Sequence, residues 1–459
     1  MGQMKKLSLG FLLVLLALWF STEAGAQVRL DDERLSGLEL EYIGQAYDGG
    51  GATVYRDLTY WHLFASHTKG WNGGDGVYST TLPDGNSFWS FGDSFFGLVS
   101  EMRDRKCPNN LPRNAAMIQT GEESCDDFLV LNEYVSTDPN NRELYYKGKT
   151  WLRHPDASKS QAEIDRGETD SDIFYWPGDA TVIKRDGKTI LQVLFGACDD
   201  HMVRSETSMA EYDLTGKPGD GQYMNLIKLY KDVVPYSAGY GSGILEAPDG
   251  HTYLYSTIGT GWMGAWAIVA RSETYDLLSE WEYYIKSENG EWNWQKEIPT
   301  EEEMRRSGIS NGDWVTEPSV FMYGDYYYMV TQDMTNGKIY IMQAEQPYGP
   351  FKNRKALYEV PIEHSATYNA FIHPQLSRTG ELVISYNMNP ADINYYEKDS
   401  TGKLVEKTLT GFWRNFNAPE SADLYQPHFI RVFNWQKMFE VEDLGVVEDA
   451  GIISYGTFN

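Results

Sequence analysis

Residues 71–97 read WNGGDGVYSTTLPDGNSFWSFGDSFFG and place two carboxylates, Asp75 and Asp93, at mirror positions about one tight turn. VYSTTL alternates and SFWSF is aromatic, a pattern of two β-strands, and Pro83-Asp84-Gly85-Asn86 between them tolerates the backbone angles of a hairpin turn. With Asp84-Gly85 as the central pair, Asp93 stands opposite Gly76 and within one residue of Asp75. Cross-strand neighbours sit roughly 4.5–5.5 Å apart at Cβ. Like charges that near disfavour joint ionisation, so one acid keeps its proton to higher pH. An acid beside a base is the minimum equipment for splitting a glycosidic bond. The plainer reading is that Asp93 caps a strand end and Asp75 makes a loop hydrogen bond.

The strand, glycine turn, strand theme recurs. After the opening copy from Gly74 come PGDATVIKRDGKTILQVLFGAC from Pro177, YGSGILEAPDGHTYLYSTIG from Tyr240, TEPSVFMYGDYYYMVTQDM from Thr316 and HPQLSRTGELVISYNMN from His373. In each, a polar residue precedes the turn glycine at the start of the first strand: Asp75, Asp179, Ser242, Glu317 and His373. An aromatic residue comes just before it: Trp71, Trp176, Tyr240, Trp314 and Phe371. Runs such as WAIVARS (266–272) and KIYIMQA (338–344) supply third strands. Four-stranded sheets repeated five times predict an all-β chain, a five-bladed β-propeller with loop insertions, in which first strands line the central axis. The five polar residues then ring one mouth of the channel, and the aromatic residues either wall that mouth as platforms for sugar rings or pack between blades. FIRVFNW (429–435) is expected to pair with the early strand LELEYI (38–43) and close the last blade on the first. Residues 98–172 and 276–312 read as insertions at the rim, the second with a short helix in EIPTEEEMRRSG.

Lys5 and Lys6, an apolar run from Leu7 to Phe20, and Ala24-Gly25-Ala26 predict a secretory signal peptide over 1–26. The remainder, 27–459, is expected as one catalytic domain, secreted or periplasmic and monomeric. The apolar run is shorter than the roughly 20 residues of a membrane span. A net charge of −27 speaks against nucleic acid as a partner. Of three cysteines, Cys107 and Cys125 could close a short loop and leave Cys198 single. No Asp-x-Asp calcium loop appears, and neighbours in Asp199-Asp200-His201 point to opposite strand faces, so no metal or other cofactor is expected. There is no G-x-S-x-G elbow for serine chemistry. The ionisable set at the mouth is then Asp75, Asp93, Asp179, Glu317 and His373; His201, His364 and His373 read first as satisfied structural histidines, although His373 could reach a sugar hydroxyl. A carboxylate-bearing substrate would ask for arginines there, and no first-strand start carries one.

The 71–97 stretch, with NAFIHPQLSRTGELVISYNMN (369–389), resembles glycoside hydrolase family 183, the endo-D-arabinanases, over about residues 60–440. That resemblance implies a five-bladed propeller that cleaves α-D-arabinofuranosyl linkages of the arabinogalactan and lipoarabinomannan type, with Asp75 and Asp93 as the catalytic pair. Trp71, Trp176, Asp179, Tyr240, Trp314, Glu317 and His373 are then candidates to contact the polysaccharide. The fourth copy is similar to blades of many propeller glycosidases, including family 43 arabinanases, and puts Glu317 where those keep a catalytic acid. Two alternatives follow: a family 43-like arabinanase or xylosidase using Asp75, Asp179 and Glu317, and a glycan-binding propeller without chemistry.

Overall fold

A computed structural model describes residues 35–440 except 107, 121–127, 161–162, 164–171, 235–238, 260–264, 362–364, 378–379, 391–395, 399 and 407–414. The expected leader, Cys107 and Cys125 lie outside the described residues. Among the described residues no helix is long and apolar enough to cross a membrane.

The described residues are all-β with few helices, and five of their antiparallel sheets, each of four or five strands, follow one another along the chain. The first holds Tyr78–Thr81, Ser87–Phe91, Ala115–Gln119 and Phe128–Val130. The second holds Ile173–Arg185, Lys188–Asp199, Arg204–Asp213 and Asn225–Val234. The third holds Gly243–Glu246, Thr252–Gly259, Ala265–Ser272, Trp281–Lys286 and Trp292–Gln295. The fourth holds Ser319–Tyr323, Tyr326–Asp333, Lys338–Ala344 and Lys352–Glu359. The fifth orders Ser365–Ile372, Glu381–Pro390, Pro427–Phe433, Thr53–Asp57 and Leu40–Gln45. The first four sequence copies each supply the first two strands of one sheet; the fifth, from His373, supplies only the second strand, Glu381–Pro390, because the first, Ser365–Ile372, ends just ahead of it.

Alternate residues of a strand feed opposite faces, and here both faces are covered. Tyr328 and Val330 pack toward the fifth sheet while Met329 between them packs toward the third. Apolar clusters accordingly lie between each consecutive pair of sheets, and one joins the fifth to the first. First strands of neighbouring sheets touch. Thr80 Oγ1 donates to the Ala180 carbonyl at 3.0 Å, the Asp179 N–H donates to the Gly241 carbonyl at 2.8 Å, and Ser319 Oγ accepts from the Ile372 N–H at 3.4 Å. From fifth back to first, His373 Nδ1 lies 2.6 Å from Ser79 Oγ and Phe371 packs edge-on against Tyr78.

Two expectations change. The closing strand does not meet the early strand directly: Thr53–Asp57 lies between them, paired with Pro427–Phe433 on one side and Leu40–Gln45 on the other. Residues 98–172 are more than a rim insertion, because they hold the outer two strands of the first sheet. The hairpin strands run on past both aspartates into a small separate sheet of Lys69–Gly74, Ser94–Leu98 and Asn109–Asn110. The expected helix in EIPTEEEMRRSG is present at Glu301–Arg306, where Thr300 and Glu303 form a reciprocal cap.

The composite fifth sheet is held by charge as well as by its ladder. Arg431, fully buried, donates from Nε to Asp57 Oδ2 at 2.6 Å and from Nη1 to Glu381 Oε1 at 2.5 Å. Asp57 also caps the helix Leu58–Ala65, its Oδ1 accepting from the Tyr60 N–H at 3.0 Å. Removing one member of a buried ion group strands the others. Arg431→Met is therefore expected to lower unfolding free energy by about 3–5 kcal/mol in a denaturant titration. Neutralising all three positions together should lose less than the single change does.

Candidate active site

The hairpin brings the two aspartates closer in register than its sequence suggested. Tyr78 pairs with Ser90 and Thr81 with Ser87, so Asp75 stands directly opposite Asp93 instead of one residue off. The difference comes from the turn: the Leu82 N–H donates to the Asn86 carbonyl at 2.7 Å, so Pro83, Asp84 and Gly85 form a three-residue loop. Gly85 takes the left-handed conformation at φ +84°. The main chains of the pair bond to each other, the Gly92 N–H to the Asp75 carbonyl at 2.6 Å and the Asp75 N–H to the Asp93 carbonyl at 3.3 Å. A side chain at Gly92 would put its Cβ 2.6 Å from Asp75 Oδ1, so only glycine lets the carboxyl lie over this strand.

The two carboxyls differ in their partners. Asp93 Oδ1 accepts from Trp176 Nε1 at 3.1 Å, and its Oδ2 lies 3.3 Å from Arg113 Nη1. Burial raises the pKa of Asp93, while Arg113 and the Trp176 N–H oppose that rise. Asp75 Oδ2 accepts from the Tyr368 hydroxyl at 2.8 Å and has no cation beside it. Burial first, and then the Asp93 charge, push Asp75 up to about 7. The pair therefore shares a proton near neutrality, and its partners place that proton on Asp75.

Glu317 is the third acid. Burial pushes it up to about 7, with Arg204 pulling the other way. Its backbone is left-handed at φ +46°. With the Asn369 amide turned so that its nitrogen faces Glu317, that nitrogen donates to both carboxylate oxygens, Oε1 at 2.8 Å, and the amide oxygen accepts from the Gly76 N–H at 3.1 Å. Asn369, at φ +57°, sits in a bulge where pairing slips between Tyr368 and Phe371. One bulge thus hands Tyr368 to Asp75 and Asn369 to Glu317. Asn387 on the next strand braces the same segment, accepting from the Gly76 N–H at 3.1 Å and donating to the Gly74 carbonyl at 3.3 Å.

The other expected residues divide. Trp176 is half-buried at the pair, and Trp314 is 44% exposed beside Glu317 in sequence. Trp71 is not a wall of the mouth: it is fully buried against Phe64 and Phe91, because its strand belongs to the small separate sheet. Tyr240 is buried too, its ring edge-on to Tyr283. His373 does not reach a substrate. Its ring is fully buried between Ser79 Oγ and Ser385 Oγ, at 2.6 and 2.7 Å, and burial pushes its pKa down to about 3, so it is a neutral clasp between fifth and first sheets. Asp179 is spent on main chain, its oxygens accepting from the N–H groups of Ala180 and Ile244, both at 2.8 Å. Burial pushes it up to about 7 against those bonds.

Sequence reasoning missed Arg113, Arg204, Tyr368 and Asn369. Both arginines come from third strands: Arg113 just precedes Ala115–Gln119, and Arg204 begins Arg204–Asp213. An inspection of first-strand starts alone passes over them. The Asp199–His201 triplet is a turn, with Asp199 Oδ1 accepting from the N–H groups of His201 and Val203. Among the described residues no group of three or more His, Cys, Asp and Glu is placed to hold a metal ion.

A family model described as a domain of unknown function, DUF5005, matches residues 57–435. A crystal structure from Bacteroides ovatus, described as a candidate hydrolase, is 40% identical with a TM-score of 0.76, over 88% of this chain and 96% of that one. Two family 43 structures are far more distant. The Xanthomonas citri enzyme complexed with xylose is 14% identical with a TM-score of 0.38, over 80% of this chain and 98% of that one. A β-xylosidase/α-arabinofuranosidase from a compost metagenome is 11% identical with a TM-score of 0.39, over 74% and 97%. No curated protein matches the chain.

Asp75, Asp179 and Glu317 all bind protons more tightly folded than unfolded. Their contribution to stability is complete below the ordinary carboxylate range, about 4, and is lost as pH rises through about 7. The melting temperature is expected to fall between pH 5 and pH 8, and a double variant Asp75→Asn, Glu317→Gln should flatten that fall in a calorimetric series.

Proposed function

This chain belongs to the DUF5005 family, and we propose that it is a glycoside hydrolase in which Asp75 is the general acid and Asp93 the base. The observation that carries this reading is the inequality of two carboxyls held face to face, one beside Arg113 and the Trp176 N–H, the other raised to about 7. Asp75 gives its proton to the departing glycosidic oxygen, and Asp93 takes one from the attacking water. The proton count is then restored by exchange with solvent. The description of the Bacteroides ovatus relative as a hydrolase agrees with this chemistry. In the finer reading the five sheets are the blades of one propeller spanning 27–459, and the substrate is a D-arabinan cut internally at α-D-arabinofuranosyl linkages, as in family 183. The protein acts outside the cytoplasm, as a monomer, after loss of residues 1–26. Half-buried Trp176 and exposed Trp314 are the aromatic residues that remain available to a furanose ring.

A second reading has one observation of its own. Glu317, raised to about 7 and held by Asn369, is equipped to be the proton donor in the manner of family 43.

Arabinogalactan digestion separates the two. Asp75→Asn and Asp93→Asn should stay folded and each lose at least about a hundredfold in turnover, the usual worth of positioned proton transfer. Near-normal rates in both variants, with Glu317→Gln inactive, move the chemistry to Glu317. Since Asp75 must be protonated and Asp93 ionised, wild-type activity should decline as pH rises through about 7. Tyr368→Phe removes a hydrogen bond that favours ionised Asp75, and should move that decline to higher pH. The anomeric form of the first product tells whether Asp93 acts on water or on the sugar.

A further inference from the structure

A narrow cleft that opens to solvent adjoins the aspartate pair, and Trp176 is the wall they share. Tyr78, Tyr240, Ser242 and Arg204 line it together with a run of glycines. Arg204 is half-buried and makes no side-chain hydrogen bond or ion pair among the described residues. That is out of keeping with the chain. Arg103, Arg113, Arg185, Arg271, Arg354 and Arg431, all buried or half-buried, each pair with an Asp or Glu. Arg105, the other buried one, is satisfied by Asn72 and main-chain carbonyls. In a chain with 66 acidic residues against 39 basic ones, the Arg204 guanidinium faces a cleft with no anion on it among the described residues.

The surroundings keep that guanidinium in place and open. Any side chain at Gly239 would set its Cβ 2.6 Å from Arg204 Nη1, so that glycine makes room for the planar group. The nearest acids do not neutralise it. Glu317 is within electrostatic reach but beyond ion-pair distance, its own carboxyl is engaged by Asn369, and it is raised to about 7. Asp93 is already balanced by Arg113. A partly desolvated cation without a partner is unfavourable on its own, and it becomes favourable when a ligand brings an oxyanion.

We propose that Arg204 and Trp176 form a subsite for a carboxylate-bearing sugar residue, adjacent to the bond being cut. The proposal rests on the hydrolase reading and refines it: the natural polymer carries acidic residues or acidic substituents and is not a wholly neutral arabinan. The guanidinium takes the carboxylate by two parallel N–H bonds, while the Trp176 ring, fixed by its bond to Asp93, offers a face to the sugar. Two sources supply the same group, a uronic acid or a hemisuccinate ester on a hydroxyl.

The test is a binding titration on the full-length Asp75→Asn protein, followed by NMR, with D-glucuronate, D-galacturonate, methyl hemisuccinate, inorganic phosphate, D-glucose and D-arabinose as probes. A carboxylate probe should bind more tightly than the neutral sugars. Adding Arg204→Gln should weaken that binding by about tenfold or more, the worth of a hydrogen bond to a charged group, and leave the neutral sugars unchanged. Arg204→Lys should recover part of the loss, and melting curves identify any variant that fails to fold. Preference for a uronate or for the hemisuccinate names the source. Equal binding of uronates and neutral sugars, unchanged uronate binding in Arg204→Gln, or a preference for phosphate overturns the proposal. Turnover is scored separately: cleavage of arabinogalactan without any carboxylate preference sinks the subsite alone, and carboxylate binding through Arg204 without cleavage of any glycan sinks the hydrolase reading alone.

Discussion

The interaction on which the rest depends is the buried trio of Arg431, Asp57 and Glu381, because the sheet that it braces is assembled from both ends of the chain. Pro427–Phe433 lies between Thr53–Asp57 and Glu381–Pro390, and Arg431 reaches one carboxylate on each neighbouring strand. Asp57 in turn starts the helix Leu58–Ala65, whose Phe64 packs on Trp71, Trp89, Phe91 and Phe429. Fixing this sheet fixes where Ser365–Ile372 lies against the first hairpin. That placement sets Tyr368 on Asp75, Asn369 between Glu317 and Gly76, and Asn387 on both sides of Asp75. The proposed acid is thus oriented by residues nearly three hundred positions away in sequence, and the packing of the fifth sheet on the first is what delivers them.

The same packing creates the electrostatics. Among the described residues no cation sits on Asp75, which is half-buried, and burial contributes more than the neighbouring charge to its raised pKa. Asp93 has the same burial but a guanidinium and an indole N–H besides. Two identical side chains, both raised by burial, thereby differ in the groups that oppose that rise, and an acid/base pair needs that difference more than it needs closeness. Arg113 is itself steered, its guanidinium lying 4.1 Å from the centre of the Phe174 ring.

What sequence could show was local. Alternation, the Pro-Asp-Gly turn and the copies identify the first two strands of four sheets and the second strand of the fifth, and bring Asp75 and Asp93 together, because hairpin pairing is fixed by the few residues between the strands. The turn's third residue shifted the register by one, a matter of whether Pro83 belongs to strand or loop. Position just ahead of a strand does not tell which way a side chain points. Trp71 and Trp176 look alike in the alignment of copies, yet one is core and the other faces the acids. His373 looked available and is a clasp, since a neutral imidazole can satisfy two serines at once. Arg113, Arg204, Tyr368 and Asn369 enter only through sheet order, which no local pattern encodes.

The site also holds a conformational demand that the sheets alone do not require. Glu317 and Asn369 both have left-handed backbones, and they meet each other through the amide and the carboxylate. Asparagine accepts that conformation readily, whereas glutamate does so at a cost of order 1–3 kcal/mol that surrounding structure must offset. Pro318 follows Glu317 directly, and its carbonyl lies where a Cβ on Gly243 would come within 2.2 Å, so the fourth sheet's first strand enters pressed against the third. The Glu317 carboxyl meets Asn369 and lies within electrostatic reach of Arg204 and Asp75. Strain and desolvation both lower stability at the mouth, and the five apolar interfaces between sheets are what the fold sets against them.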